Sequence, residues 1–175
     1  MQIKIGLIRN LPHIRSSVEL LVIIMIKEIT IRDFFSFRGE HTIKLNSGVN
    51  LLLGVNGSGK TSFLNAITVL YEGIVGNGLS DLFRQWGSYA SIVNACGEDR
   101  PDCFSLSYVF DATELKKLVP SSPFQYDVHY KITVFPLGNG SNYSLCETLY
   151  SQDNRSKKKS FSFLEFRGGV GQISV

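Results

Sequence analysis

The sequence predicts an α/β fold in which a buried strand, a glycine-rich loop and an amphipathic helix join an antiparallel β lobe. Three observations predict it. Val49–Gly54 is a nearly continuous apolar run, the pattern of a strand covered on both faces. From Phe63 onward, Ile67, Leu70, Tyr71 and Ile74 recur at helical spacing. After Cys103 the pattern changes to alternation in segments rich in β-branched and aromatic residues. With 175 residues, 43% hydrophobic and 19% charged, the chain has the material for one core and is not disordered overall.

The elements follow in order. Ile26–Arg32 reads as a strand, Asp33–Gly39 as an aromatic loop and His41–Leu45 as a second strand, the two pairing antiparallel. Asn46–Ser47–Gly48 is a turn signal that leads into Val49–Gly54. Gly73, Gly76, Asn77 and Gly78 close the helix after the glycine-rich loop. Ser80–Trp86 reads as a short helix capped by Ser80, followed by a loop through Asp102. Strands are expected at Cys103–Asp111, Phe124–Phe135, Tyr143–Tyr150 and Ser160–Phe166, with a short helix at Ala112–Val119. Gly138–Gly140 and Asp153–Asn154 are the hairpin turns. No internal repeat or low-complexity tract is visible.

Composition removes several classes of function. A net charge of +3 is too small to argue for nucleic acid by itself. Cys96, Cys103 and Cys146 are odd in number and lack a CxxC spacing, which argues for reduced thiols in a cytoplasmic protein rather than a disulfide framework or zinc site. The longest apolar run, Leu20–Ile26, is seven residues against the roughly twenty a membrane span needs. Lys27 and Glu28 follow it where a signal peptide would carry small residues. Everything from Met25 reads as a domain start, so residues 1–24 are expected to be an extension, either an over-extended gene start or a dispensable arm.

Gly54-Val55-Asn56-Gly57-Ser58-Gly59-Lys60-Thr61 fits G-x-x-x-x-G-K-[ST] at every fixed position. Such a turn must bring successive backbone N–H groups around a phosphate, and glycines allow both the dihedral angles and the close approach. The helix N-terminus adds free amides and partial positive charge. Lys60 is expected to reach the β- and γ-phosphates, and the Thr61 hydroxyl to ligate Mg²⁺. Gly54, Asn56, Gly57, Ser58 and Gly59 complete the cradle, and Ser62 adds a hydrogen bond on the α-phosphate side. ATP with Mg²⁺ is the expected ligand pair. Ser58 and Ser62 are loop residues rather than nucleophiles, because no Ser/His/Asp arrangement is legible.

The segment ITIRDFFSFRGEHTIKLNSGVNLLLGVNGSGKTSFLNAI resembles the N-terminal part of P-loop ATPase heads of the ABC/SMC/RecF class. More narrowly, it is similar to AAA-type predicted ATPases and OLD-like proteins of bacteria. Those carry a strand, an NF[RK]SF-like loop, a second strand, a G-[VIL]-N strand and G-x-N-G-[SA]-G-K-[ST]. The matching pieces are Asp33–Phe37, Gly48-Val49-Asn50 and the phosphate loop; Ser80–Val93 also looks like the segment such ATPases carry after their first helix. Met25 to Val93 matches well, the remainder by pattern. The resemblance implies a P-loop NTPase core with an antiparallel β lobe, here the N-terminal lobe of an incomplete ABC-type head spanning residues 25–175. It implies Mg-ATP binding in DNA repair or anti-phage defence. The partners it implies are a C-terminal half in cis or in trans, a second head in a head-to-head dimer, and DNA. No membrane partner is expected.

The departures are specific. Phe35 stands where the family often has Arg or Lys, with Arg38 as a substitute three residues on. No LSGGQ-like signature, Walker B Asp-Glu or switch histidine is recognisable, so no catalytic residue is assigned and enzymatic status stays open. Leu106–Asp111 (LSYVFD) mimics a Walker B strand but reads as an ordinary one, since no Glu follows Asp111. The loop binds phosphate without supplying a group that orients water, so this chain should turn over ATP poorly or not at all. Arg155 and Lys157–Lys159 form a basic run, read first as a solvated loop and second as a DNA-backbone contact. Phe34, Phe35 and Phe37 read as packing aromatics before base-stacking ones. Gln85 and Gln125 are poor Q-loop candidates, and His41 and His129 lack a catalytic partner. The alternatives are a split or truncated nucleotide-binding module without hydrolysis and a non-functional gene fragment. A GTPase is disfavoured because no N-K-x-D motif is present.

Overall fold

The computed structural model describes residues 2–3, 25–74, 78–94, 101–118, 120–121, 124–137, 142–153 and 159–174. Its strands are β1 (Gln2–Ile3), β2 (Ile26–Phe34), β3 (Phe37–Lys44), β4 (Asn50–Leu51), β5 (Phe104–Phe110), β6 (Asp127–Leu137), β7 (Asn142–Gln152), β8 (Lys159–Arg167) and β9 (Val170–Ile173). Its helices are α1 (Lys60–Ile74), α2 (Leu79–Gln85), α3 (Tyr89–Ile92) and α4 (Ala112–Leu118).

Seven strands form one antiparallel sheet in the order β3-β2-β5-β6-β7-β8-β9. Alternation decides its faces. Ile29 pairs with Tyr108, Ile31 with Leu106, and Leu106 in turn with Ile132. These residues are at most 1% exposed and share one face. Thr30, Ser107 and Lys131 lie in register between them and carry the polar face. One packed and one wetted face is the usual economy of an antiparallel sheet.

Helix α1 covers the apolar face with Phe63, Ala66, Ile67, Val69 and Leu70. Burying a large side chain of this kind contributes about 1.5–3 kcal/mol. The Tyr108 hydroxyl donates to the Ala66 carbonyl at 2.6 Å, which fixes the helix's position along the sheet. A second packing centre gathers Phe34, Phe83, Trp86 and Phe104, with ring centroids 5.1–6.3 Å apart. It seats α2 and α3 against the end of β2. The Lys27–Asp127 ion pair joins β2 to β6, and Asp127 also accepts the Ala112 N–H at the start of α4.

The hairpin of β2 and β3 has the expected antiparallel pairing, with Ile29 opposite Ile43. Three expectations need correction. Val49–Gly54 is not a strand buried on both faces: only Asn50–Leu51 is extended, and it pairs in parallel with Gln2–Ile3 in a separate two-stranded sheet. Val49, Leu53 and Val55 are exposed, because no described strand lies against them. Ser80 does not cap α2. The cap position belongs to Gly78, and the Ser80 hydroxyl lies 2.6 Å from Tyr143 Oη instead. The loop expected through Asp102 contains α3, and β9 follows β8 where no strand was read. Gly171 in β9 passes so close to β8 that an added Cβ would collide with the Glu165 carbonyl oxygen and with Phe166. The expected extension beyond Gln2–Ile3, the helix-closing Gly76 and Asn77, the Gly138–Gly140 turn, Cys96 and the basic residues 155–158 lie outside the described residues.

Candidate functional site

The Gly54–Thr61 loop connects β4 to the first turn of α1. Gly57 (φ 84°) and Gly59 (φ 90°) adopt left-handed backbone conformations that L side chains rarely tolerate. Ser58 N–H donates to the Val55 carbonyl at 3.2 Å, closing the turn, and Phe63 N–H donates to the Gly59 carbonyl at 2.9 Å, starting the helix. A Cβ on Gly54 would strike the Ser58 hydroxyl and displace that side chain.

Lys60 turns back over this loop. Its Nζ donates to the Gly54 and Val55 carbonyls, each at 2.7 Å, and to Ser58 Oγ at 3.4 Å. The ammonium is therefore held over the concave side of the loop, half-exposed to solvent. A cleft of about 360 Å³ opens there, lined by Ser36, Asn56, Gly57 and residues 59–62. Thr61 is exposed, and Ser62 is buried.

Ser36 comes from the β2–β3 turn, which the sequence marked only as aromatic. Its hydroxyl lies 2.7 Å from Ser62 Oγ, and a Cβ on Gly59 would come within 3.1 Å of it. Two non-glycine residues in the turn, Asp33 (φ 52°) and Phe35 (φ 48°), are left-handed. Such strain persists only where surrounding bonds hold it. Here Asp33 Oδ1 accepts the Gly39 N–H at 2.7 Å, Phe35 N–H donates to the Ile92 carbonyl at 2.6 Å, and Asn94 Nδ2 donates to the Phe35 carbonyl at 2.7 Å. Asp33 and Asn94 are both buried. The serine inside the NF[RK]SF-like loop was the available signal for Ser36. Nothing local signalled Asn94, because its partner lies 59 residues away.

Other expected residues fall elsewhere. Phe35 packs edge-on against Phe34 and Trp86, at 4.7 and 5.3 Å, and neither it nor Arg38 lines the cleft. Phe34 is wholly buried, whereas the Phe37 ring sits against Gly59 at the cleft's edge. Gln85 ends α2, away from the cleft, and Gln125 is exposed beside β6. Asp111 accepts the Thr113 and Glu114 N–H groups and so caps α4. His41 bonds the Arg38 carbonyl at 2.8 Å. His129 stacks on Tyr150 at 5.0 Å, and burial lowers its pKa. Cys103 and Cys146 are free thiols, and burial pushes the Cys103 thiol upward. Among the described residues no group of three or more His, Cys, Asp or Glu is gathered to hold a metal, and no helix is long and apolar enough to cross a membrane.

A family described as an AAA domain matches residues 28–166. This chain belongs to the AAA-domain family. It is also 41% identical, over 51 residues, to the DNA double-strand break repair Rad50 ATPase of Archaeoglobus fulgidus. That stretch is 29% of this chain and 6% of the Rad50 protein, so the chain spans a small part of that relative. Together the two matches support the resemblance to the N-terminal region of an SMC/RecF/ABC-type P-loop ATPase. ATPases of this kind use ATP and Mg²⁺. The AAA-domain chain has the donor set for such a ligand: a lysine ammonium, a glycine-bounded concavity that a Cβ would fill, and an exposed threonine hydroxyl at a helix N-terminus.

Proposed function

We propose that this AAA-domain chain binds Mg-ATP through residues 54–62, as the Walker A half of an SMC/RecF-like ATPase in DNA repair or anti-phage defence. One observation carries the reading: the G-x-x-x-x-G-K-T loop opens α1 with Lys60 poised over its concave side. In the bound state the amides of Gly54–Gly59, with Asn56 and Ser58, cradle phosphate. Lys60 exchanges its carbonyl contacts for β- and γ-phosphoryl oxygens. Thr61 holds Mg²⁺, which neutralises phosphate charge, and Ser62 meets the α-phosphate side.

The strand–loop–helix core of this reading comprises β4, the loop and α1. The exposed Val49, Leu53 and Val55 beside β4 support a second half of the head, in cis or in trans, as the group that covers them and brings the signature and Walker B elements. On this reading residues 25–175 are the N-terminal lobe, the complete head works as a head-to-head dimer in the cytoplasm, and DNA is a further partner. Duplex binding should then be salt-sensitive and should weaken when residues 157–159 are neutralised.

Thermal unfolding with and without Mg-ATP tests the site. At a hundredfold excess over Kd, binding stabilises by about 2.7 kcal/mol, or about 5–10 °C in a chain of this size. Lys60→Ala should remove that rise. No rise in the unsubstituted chain at millimolar Mg-ATP overturns the proposal. The second reading, a binding module without turnover, is favoured by the absence of any acidic side chain among the residues lining the cleft.

A further inference from the structure

The β2–β3 turn brings to the cleft a hydroxyl that the loop motif does not account for. Ser36 Oγ lies 2.7 Å from Ser62 Oγ, and the Ser36 N–H is directed at the same oxygen from 3.4 Å. Both serines line the cleft. The turn that delivers Ser36 is held from behind by Ile92 and Asn94.

We propose that Ser36 is a positioning residue of the nucleotide site: it directs the Ser62 hydroxyl proton toward a phosphoryl oxygen of a nucleoside di- or triphosphate. The inference rests on the Mg-ATP reading. A serine hydroxyl has one proton and two acceptor lone pairs. When Ser36 N–H and Ser36 Oγ–H both donate to Ser62 Oγ, its lone pairs are occupied. Its single proton is then the one bond left to make. A phosphoryl oxygen at neutral pH only accepts hydrogen bonds, so a hydroxyl fixed as donor suits it. Without the Ser36 hydroxyl, the Ser62 hydroxyl loses the partner 2.7 Å away that fixes its rotation, and its proton is no longer directed.

The test titrates the full 175-residue chain with fluorescent mant-ATP and mant-ADP in Mg²⁺, comparing Ser36→Ala, Ser36→Thr and Lys60→Ala. Ser36→Ala should weaken both nucleotides by the same factor, about five- to tenfold. Both should change together because Ser62 lies on the α-phosphate side. Ser36→Thr restores the hydroxyl and should bind within about twofold of the unsubstituted chain. The melting temperature of each Ser36 variant without nucleotide should stay within about 2 °C. Unchanged affinity in Ser36→Ala, a loss confined to mant-ATP, or a loss that threonine does not restore overturns the inference. Lys60→Ala separates the two claims. If it binds as tightly as the unsubstituted chain, the Mg-ATP reading fails; if it alone loses binding, only the role of Ser36 fails.

Discussion

Gly59 answers two demands at once. Its φ of 90° excludes L side chains, and an added Cβ would press on Ser36 Oγ at 3.1 Å and on the Phe37 ring at 3.5 Å. Gly59→Ala should cost about 1–2 kcal/mol and lower the melting temperature by about 3–6 °C. It should also erase the Mg-ATP shift, and calorimetric unfolding reads both effects. His129 sets a different residue-scale expectation. Burial lowers its pKa below the ordinary imidazole value of 6.5, and its Nε2 is buried without a hydrogen bond. The unfolded chain therefore binds this proton more readily than the folded one. The stabilisation it contributes is present above about pH 6.5 and is lost as pH falls through the folded pKa. His129→Phe keeps a ring beside Tyr150, so its melting temperature should fall less steeply than the unsubstituted chain's between about pH 7 and pH 5. At this scale the tight turn at Gly54–Thr61 was legible, because the left-handed backbone at Gly57 and Gly59 selects glycine at those positions. Ser36 and Asn94 were not, because their roles arise from contacts across 26 and 59 residues.

The β2–β3 turn acts as an element rather than as separate residues. Two strained backbone positions, an aspartate cap at Gly39 and three bonds to the α3 end hold one loop against another. Asn94→Ala leaves the half-buried Phe35 carbonyl without its side-chain donor and should destabilise the chain by about 1 kcal/mol. If the turn also braces the cleft, the same substitution weakens mant-ADP binding, and parallel melting and titration curves read both effects. Helix α1 was legible because its apolar period matches its buried face, and strands β5–β8 because they are rich in β-branched and aromatic residues. The Val49–Gly54 run misled for a physical reason: an apolar run records what a strand is suited to pack against, and among the described residues only the short Gln2–Ile3 strand pairs with it, leaving Val49 and Leu53 exposed. Ser80 misled because a capping residue type also makes tertiary hydrogen bonds, here with the Tyr143 hydroxyl.

Across the whole molecule, the sheet and α1 share one buried core, whereas the loop follows a strand only two residues long. Binding and turnover should therefore separate. Among the described residues no acidic side chain lines the cleft, and Asp111, the residue that most resembled a Walker B acid, is engaged in capping α4. Phosphate release from Mg-ATP by the purified chain should match that of Lys60→Ala, even though only the unsubstituted chain is stabilised by the nucleotide. Release well above the Lys60→Ala rate would show that this chain carries its own means of orienting water.

Gly171 has a consequence at the level of the gene. Every single-base missense change in a glycine codon introduces a side chain, and at this position even a methyl group meets the Glu165 carbonyl and the Phe166 backbone. No mutational step away from glycine is small here. Random mutagenesis with selection for folded protein should therefore leave codon 171 with synonymous changes alone, while Val170 and Ile173, both exposed on the same strand, drift freely.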